Sequence, residues 1–319
     1  MSKKIPIIID CDPGHDDAMA ILWALASPQL ELKAVTTVAG NQTIEKVTTN
    51  AIKVLTKARR FDIPVAIGAK DPLTRKLVVG GEVVHGNSGL EGPVLPDCGF
   101  EPSDLSALEL LIKTIEEADD KITLVPIGPL TNIATLFIVR PDLKERIERL
   151  SIMGGGAYMG NWTPAAEYNI WADPEAAKIV FNSGLPIIMS GLDVTHKAYI
   201  TREENEILRA QGNEISIFAA ELIDYFSRYH YEVEGFPGCT MHDPTAIAAL
   251  LYPEIFTGVT CNVDVETKGE LTTGMTVVDT IGYKEKIFGE KVDKNTTVLL
   301  NVDRKRYVEA FFAAMKSLN

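Results

Sequence analysis

Between Ile7 and Leu25 the chain reads IIIDCDPGHDDAMAILWAL, which places Asp10, Asp12, Asp16 and Asp17 within eight positions. Ile7, Ile8 and Ile9 are β-branched and predict a buried strand. Positions 18–25 are strong helix formers, closed by Ser27-Pro28, and Pro13-Gly14 between the two segments is turn chemistry. The aspartates therefore fall at the carboxyl end of a strand and in the first turn of the next helix, where open α/β sheets bind ligands. Carboxylates this close repel one another and lose acidity unless a cation is present, so four in one turn point to a divalent metal. Asp16 and Asp17 could serve only the positive end of the helix dipole. Asp10 and Asp12 have no such reason to be there, because Asp is depleted in strands. The stretch is not an EF-hand: counted from Asp10, the sixth position is His15 rather than Gly and the twelfth is Ile21 rather than Glu.

Downstream, strand and helix patterns alternate with short connections. Strands are expected at 32–38, 63–67, 121–127, 150–153 and 186–189. Helices are expected from a Thr43 cap to Lys57 and at 105–117, 174–182 and 215–229. This order predicts one α/β domain over residues 1–319, with an open, mostly parallel, Rossmann-like sheet and helices on both faces. After Thr257 the pattern turns strand-rich before a closing helix at 306–318, which reads as a small appended β region. Two long glycine-containing loops, 80–96 and 232–243, break the alternation, and such loops are often functional.

A formal net charge of −13 over 319 residues argues against nonspecific binding to nucleic acid or to anionic membranes and suits a small neutral substrate. Cys11, Cys98, Cys239 and Cys261 are scattered, without a CxxC pair, and suggest neither a disulfide framework nor a zinc site. Lys3-Lys4 and the short apolar run after them do not make a signal-peptide core. No apolar stretch approaches the ~20 residues that span a bilayer. The expectation is a soluble cytoplasmic protein.

The Gly154-Gly155-Gly156 run follows a strand but fits neither GxGxxG nor GxxxxGK[ST], so a close backbone approach or tight turn is its expected role. Asn161, Glu167 and Asn169 in NWTPAAEYN could hydrogen-bond a polyol, or form an ordinary polar loop. Asp243 precedes Pro244 and reads equally as the N-cap of a helix at 245–251. Spacing alone does not make His85, His196, His230 or His242 catalytic.

DCDPGHDDA resembles the signature of the inosine-uridine nucleoside hydrolase family, calcium-dependent nucleoside N-ribohydrolases. The resemblance runs along the chain through TTVAGNQT (36–43), HGNSGL (85–90), VPIGPLTN (125–132), IMGGGAYMGN (152–161), AAEYNI (165–170), DPEAA (173–177), GLDVTH (191–196), MHDP (241–244) and GMTVVD (274–279). It implies Ca²⁺ held by Asp12, both oxygens of Asp17, Asp243 and the backbone carbonyl of Ile127, with Asp12 also the general base on a metal-bound water. Many members have threonine at the position of Ile127, but only the carbonyl is used. Asp16, Asn161, Glu167 and Asn169 would grip the ribose hydroxyls, Met153 would lie against the sugar, and Asn41 and Asp10 would support the floor.

Cleavage of an N-glycosidic bond passes through an oxocarbenium-like state that a carboxylate-rich pocket stabilises, and His242 and His85 are the candidate acids for the leaving base. The histidine in the HG-SG loop, the NWTPAAEYN wording and the Tyr225, Tyr229, His230 stripe resemble the pyrimidine-preferring cytidine/uridine branch, although Asn87 stands where that loop commonly has Glu. Tyr225 and Tyr229, four apart, could stack on the base or pack in the core. His15 reads as a variable turn position. The resemblance also implies a homotetramer, or a dimer, acting on a small ribonucleoside. The alternatives are a purine-preferring or broad-specificity hydrolase, a haloacid-dehalogenase-like phosphohydrolase, and a non-catalytic nucleoside-binding protein.

Overall fold

The computed structural model describes residues 3–318, apart from the side chain of Lys284; residues 1, 2 and 319 of the expected domain lie outside it. The strands are β1 (Ile5–Cys11), β2 (Leu30–Thr37), β3 (Val65–Ile67), β4 (Ile122–Pro126), β5 (Ile147–Met153) and β6 (Ile187–Ser190). They continue with β7 (Tyr199–Ile200), β8 (Cys239–Thr240), β9 (Phe256–Cys261), β10 (Val263–Val265), β11 (Thr276–Val278) and β12 (Thr296–Val302). Eight of them form one sheet in the order β3-β2-β1-β4-β5-β6-β12-β9. All neighbours run parallel except β12 and β9.

The apolar run of β1 is buried on both faces, as a central parallel strand requires. Ile7 and Ile9 enter one hydrophobic core and Ile8 the other, following the period of two. Helices His15–Ala26, Glu214–Tyr229, His242–Leu251 and Arg304–Ser317 contribute to the first core; Ala107–Glu117, Thr131–Val139 and Pro174–Phe181 contribute to the second. Caps fix several of these starts. Ser106 and Glu109 form a capping box, as do Thr201 and Glu204, and Asp173 caps the helix that opens with Pro174.

From β1 the chain winds outward to β2 and β3, then returns to the other side of β1 as β4. The strand order therefore reverses between β1 and β4, the switch point at which such sheets leave a crevice. The two strand ends are in register there: Asp10 lies opposite Pro126, and the Ile127 N–H donates to the Asp10 carbonyl at 2.8 Å.

Four details differ from the sequence expectations. Of the strand-rich tail, β12 pairs in parallel with β6 and β9 closes the main sheet antiparallel, leaving the β10–β11 ribbon as the appended part. The 80–96 loop contains one helical turn, Glu82–His85. Residues His230–Glu234 continue the preceding helix as a π-helical turn. The last helix of the site starts at His242 with Met241 at the cap position, so Asp243 lies in the first turn rather than at the N-cap.

Candidate active site

The loops after β1, β2, β4 and β5 meet at the switch point, around a cavity of about 350 Å³. From the sheet side Asp16, Asn41, Ile127, Met153, Asn161, Glu167, Asn169 and Asp243 line it. His85 comes from the glycine-rich turn, Phe226, Tyr229, His230 and Glu234 from the long helix and its π turn, and His242 from the following helix.

The carboxylates are knitted together by backbone donors. Asp17 accepts the Asp12 N–H at 3.1 Å and the Gly14 N–H at 2.9 Å, both at the open N-terminus of the first helix. Asp12 accepts the Asn41 N–H at 2.7 Å on one oxygen, while its buried Oδ1 has no partner. The close quarters explain two glycines. A Cβ on Gly40 would stand 2.2 Å from Asp12 Oδ2, and one on Gly128 would stand 2.5 Å from Oδ1. Carboxylate oxygens of Asp16, Asp17 and Asp243 lie within 4.8 Å of one another. Burial, and then neighbouring negative charge, pushes Asp12, Asp16 and Asp243 well above the ordinary carboxylate range; Asp17 is pushed up to about 6, chiefly by burial. Among the described residues, no lysine or arginine figures in the main influences on these four carboxyls. A buried, all-oxygen cluster with an unpartnered Asp12 oxygen is the donor set of a hard divalent cation, and these residues fit one.

Asp10 lies behind this cluster. Thr36 and Asn132 donate to its Oδ1 at 2.6 and 2.8 Å, and burial still pushes it up to about 7. Glu167 accepts from the backbone N–H groups of Gly155, Asn169 and Ile170 and caps the short helix Tyr168–Ala172; burial outweighs these bonds and pushes it up to about 7. The Gly154–Gly156 run thus bends around a carboxylate, with Gly155 at φ +75°. Asn169 Nδ2 donates to the Ile127 carbonyl at 2.9 Å and to Met153, and Asn161 Oδ1 accepts the Tyr168 N–H at 3.0 Å.

The histidines gather on the other wall. His242 Nδ1 is 2.8 Å from the Thr195 hydroxyl and its Nε2 is 2.9 Å from that of Thr240, which also bonds His230 Nε2. Burial lowers His85 and His242 well below the usual imidazole value, so both rings are neutral at neutral pH. His196 does not line the cavity, and its ring lies against that of His242.

The structure separates the two tyrosines. Tyr229 borders the cavity, whereas Tyr225 does not: its ring stacks on His15 and its hydroxyl donates to Glu91 at 3.0 Å. Tyr225 thus packs against His15 and Glu91, away from this cavity. Consecutive helical residues point about 100° apart, and it is Phe226 that faces the cavity and stacks on His85. Sequence reasoning also passed over Tyr168, whose hydroxyl donates to the Gly40 and Val78 carbonyls, and Glu234. Phe226 could have been found from its i, i+3 spacing to Tyr229. His15 carried no such signal, and it is a buried contact of His85 rather than a free turn position.

The open α/β sheet sets a carboxylate crevice, faced by neutral imidazoles, at its switch point, where sheets of this kind bind a small ligand. Residues 7–309 match the inosine-uridine preferring nucleoside hydrolase family, and the chain belongs to it. It is 51% identical to the pyrimidine-specific ribonucleoside hydrolase RihA of Escherichia coli O127:H6 over 98% of both chains. Among solved structures it is similar to the plant nucleoside hydrolase PpNRh1 enzyme, at TM-score 0.90 and 33% identity over 98% and 99% of the two chains. It is also similar to a purine-preferring ribonucleoside hydrolase from Gardnerella vaginalis, at TM-score 0.89 and 30% identity over 98% of each. The chain is a ribonucleoside N-ribohydrolase.

Proposed function

We propose that this hydrolase cleaves the N-glycosidic bond of uridine and cytidine, releasing free base and ribose, with Ca²⁺ as its resident ion. The carrying observation is Asp12, a buried carboxylate with one bare oxygen beside the Asp16, Asp17, Asp243 cluster. The pyrimidine preference rests on the 51% identity to a relative described as pyrimidine-specific. Asp12, Asp17, Asp243 and the Ile127 carbonyl would hold the ion. When bound, it supplies Lewis-acid activation of water and orientation of the ribose hydroxyls.

The remaining roles fall to the protein's own groups. Asp12 accepts the proton of the attacking water through the oxygen that has no other partner. Asp16, Asn161, Glu167 and Asn169 bind the ribose hydroxyls, Met153 lies along the sugar, and Asn41 and Asp10 hold the floor through their bonds to Asp12 and to Thr36 and Asn132. The negative cavity stabilises positive charge developing on the sugar, and attack opposite the base inverts the anomeric carbon. His85, His242 and Tyr229 meet the nucleobase, the histidines as hydrogen-bonding partners of the leaving group.

The reading includes a single catalytic domain, a cytoplasmic compartment and a homotetrameric assembly. Among the described residues no helix is long and apolar enough to cross a membrane. The deciding experiment is a nucleoside panel scored for free base, with and without chelator. Uridine and cytidine should be turned over, and chelation should stop the reaction. A higher kcat/KM for inosine than for uridine would replace the pyrimidine reading by a purine one, as in the Gardnerella neighbour.

A further inference from the structure

The Tyr168 ring borders the cavity, and its hydroxyl lies 2.6 Å from the Gly40 carbonyl and 3.0 Å from that of Val78. A carbonyl oxygen only accepts, so the phenol is the donor in both contacts, and its single proton goes chiefly to the nearer oxygen, that of Gly40. The other end of the same peptide unit is the Asn41 N–H, which donates to Asp12 Oδ2 at 2.7 Å. A trans peptide is planar, with its C=O and N–H pointing in opposite directions, so the direction of the carbonyl fixes that of the N–H. Tyr168 therefore bears on Asp12 through one rigid group. Hydrogen bonds in such a chain also polarise one another: a donor on the carbonyl makes the N–H a better donor to the carboxylate.

Tyr168 is itself held. Its N–H donates to Asn161 Oδ1 at 3.0 Å, at the start of a helix that Glu167 caps, and its ring meets that of Trp162 edge-on at 5.1 Å. Gly80 lies against it: a Cβ there would be 2.4 Å from Tyr168 Cε2. At the other end of the chain, the Asn41 N–H engages Asp12 Oδ2 and leaves Oδ1 as the bare oxygen. The Asn41 side chain donates to the Asp12 carbonyl at 3.2 Å, so it holds the backbone of Asp12 and not its carboxylate.

We propose that Tyr168 is a positioning residue for Asp12: through the Gly40–Asn41 peptide its hydroxyl sets which carboxylate oxygen is engaged and keeps Oδ1 free for the proton of the attacking water. The hydroxyl is the part of the side chain that does this, since a phenylalanine would fill the same space and leave the Gly40 carbonyl without its donor. The consequence for catalysis rests on Asp12 being the general base; the contact itself rests on hydrogen-bond geometry.

The two are tested separately, with Y168F, which removes the hydroxyl and keeps the ring. In a ¹H–¹⁵N spectrum of the full protein with calcium, labelled with ¹⁵N-asparagine and assigned with N41D, the Asn41 amide proton should move upfield in Y168F and exchange with D₂O faster than in the wild type. With uridine as substrate, kcat should fall about fivefold, the worth of one hydrogen bond, while KM stays at the wild-type value. An Asn41 resonance that does not move in Y168F would overturn the proposal whatever the kinetics. A kcat equal to that of the wild type would overturn it too, and a raised KM beside it would show the hydroxyl serving the Val78 carbonyl and the loop beyond. Absence of turnover on every nucleoside would end the reading of Asp12 as a base and leave the Asn41 resonance to decide whether Tyr168 holds the peptide.

Discussion

Asp12 is held in place by everything around it except the proton it is proposed to take. One of its oxygens accepts the Asn41 N–H, the other is buried and bare, and glycines at 40 and 128 make the room. Asp12→Asn keeps the shape and can no longer accept that proton. Loss of a general base costs about 10²–10⁴-fold, so kcat for uridine should fall by that range while the circular dichroism spectrum stays native. A variant that keeps most of its rate would assign the base elsewhere. At this scale the sequence was informative where a residue broke its local rule: aspartates in and after a β-branched strand announced themselves as a site. It was silent where a residue obeyed its local rule. His15 is an unremarkable helix opener until His85 and Glu91, 70 and 76 positions away, close around it. Tyr225 and Phe226 are both good helix-face aromatics, and only the rotation of the helix against the sheet decides which one meets the cavity.

Between elements, the helix that opens at His15 and the turn Glu82–His85 touch through Gly14. Gly14 has φ −99°, an ordinary value, so a side chain there meets no backbone strain, only the His85 ring. Gly14→Ala should therefore leave the fold standing, with an overpacking cost of about 1–3 kcal/mol in stability. It should push His85 aside and lower kcat/KM for uridine about tenfold. Gly155→Ala is the contrast: at φ +75° and 2.6 Å from Met189 it should lose more stability, read as a larger drop in Tm. Equal Tm losses in the two variants would mean that Gly14 is needed by the backbone and not by His85. The alternation of strand and helix was legible because each segment carries its own period. The fate of β9 and β12 was not, since a strand's sequence states its faces and not its neighbour, and both joined the main sheet beyond β6.

At the scale of the whole molecule, the buried negative site has no lysine or arginine among the main influences on its carboxyls within the described residues, and this makes stability depend on pH and on metal together. Asp10 and Glu167 are each raised to about 7 and Asp17 to about 6, burial being the largest cause in all three. A carboxyl whose folded pKa is raised contributes stability that is complete below its unfolded value, near 4, and that is lost as pH rises through the folded value. For Glu167, the rise from 4.5 to about 7 corresponds to roughly 3 kcal/mol. Metal-free protein should therefore lose Tm steadily between pH 5 and pH 8. A cation at Asp12, Asp17 and Asp243 favours the ionised forms and adds its own binding energy, about 2.7 kcal/mol at a hundredfold excess over Kd. The Tm gained on adding calcium should accordingly grow with pH over the same window. The net charge of −13 also disfavours compactness as pH rises, but it acts with and without calcium and largely cancels in the difference. Thermal melts at pH 5, 6.5 and 8, with chelator and with calcium, measure that difference. A calcium gain that is constant across the three pH values would mean that the carboxylates are already ionised without the ion, and that its place in the site has been misread.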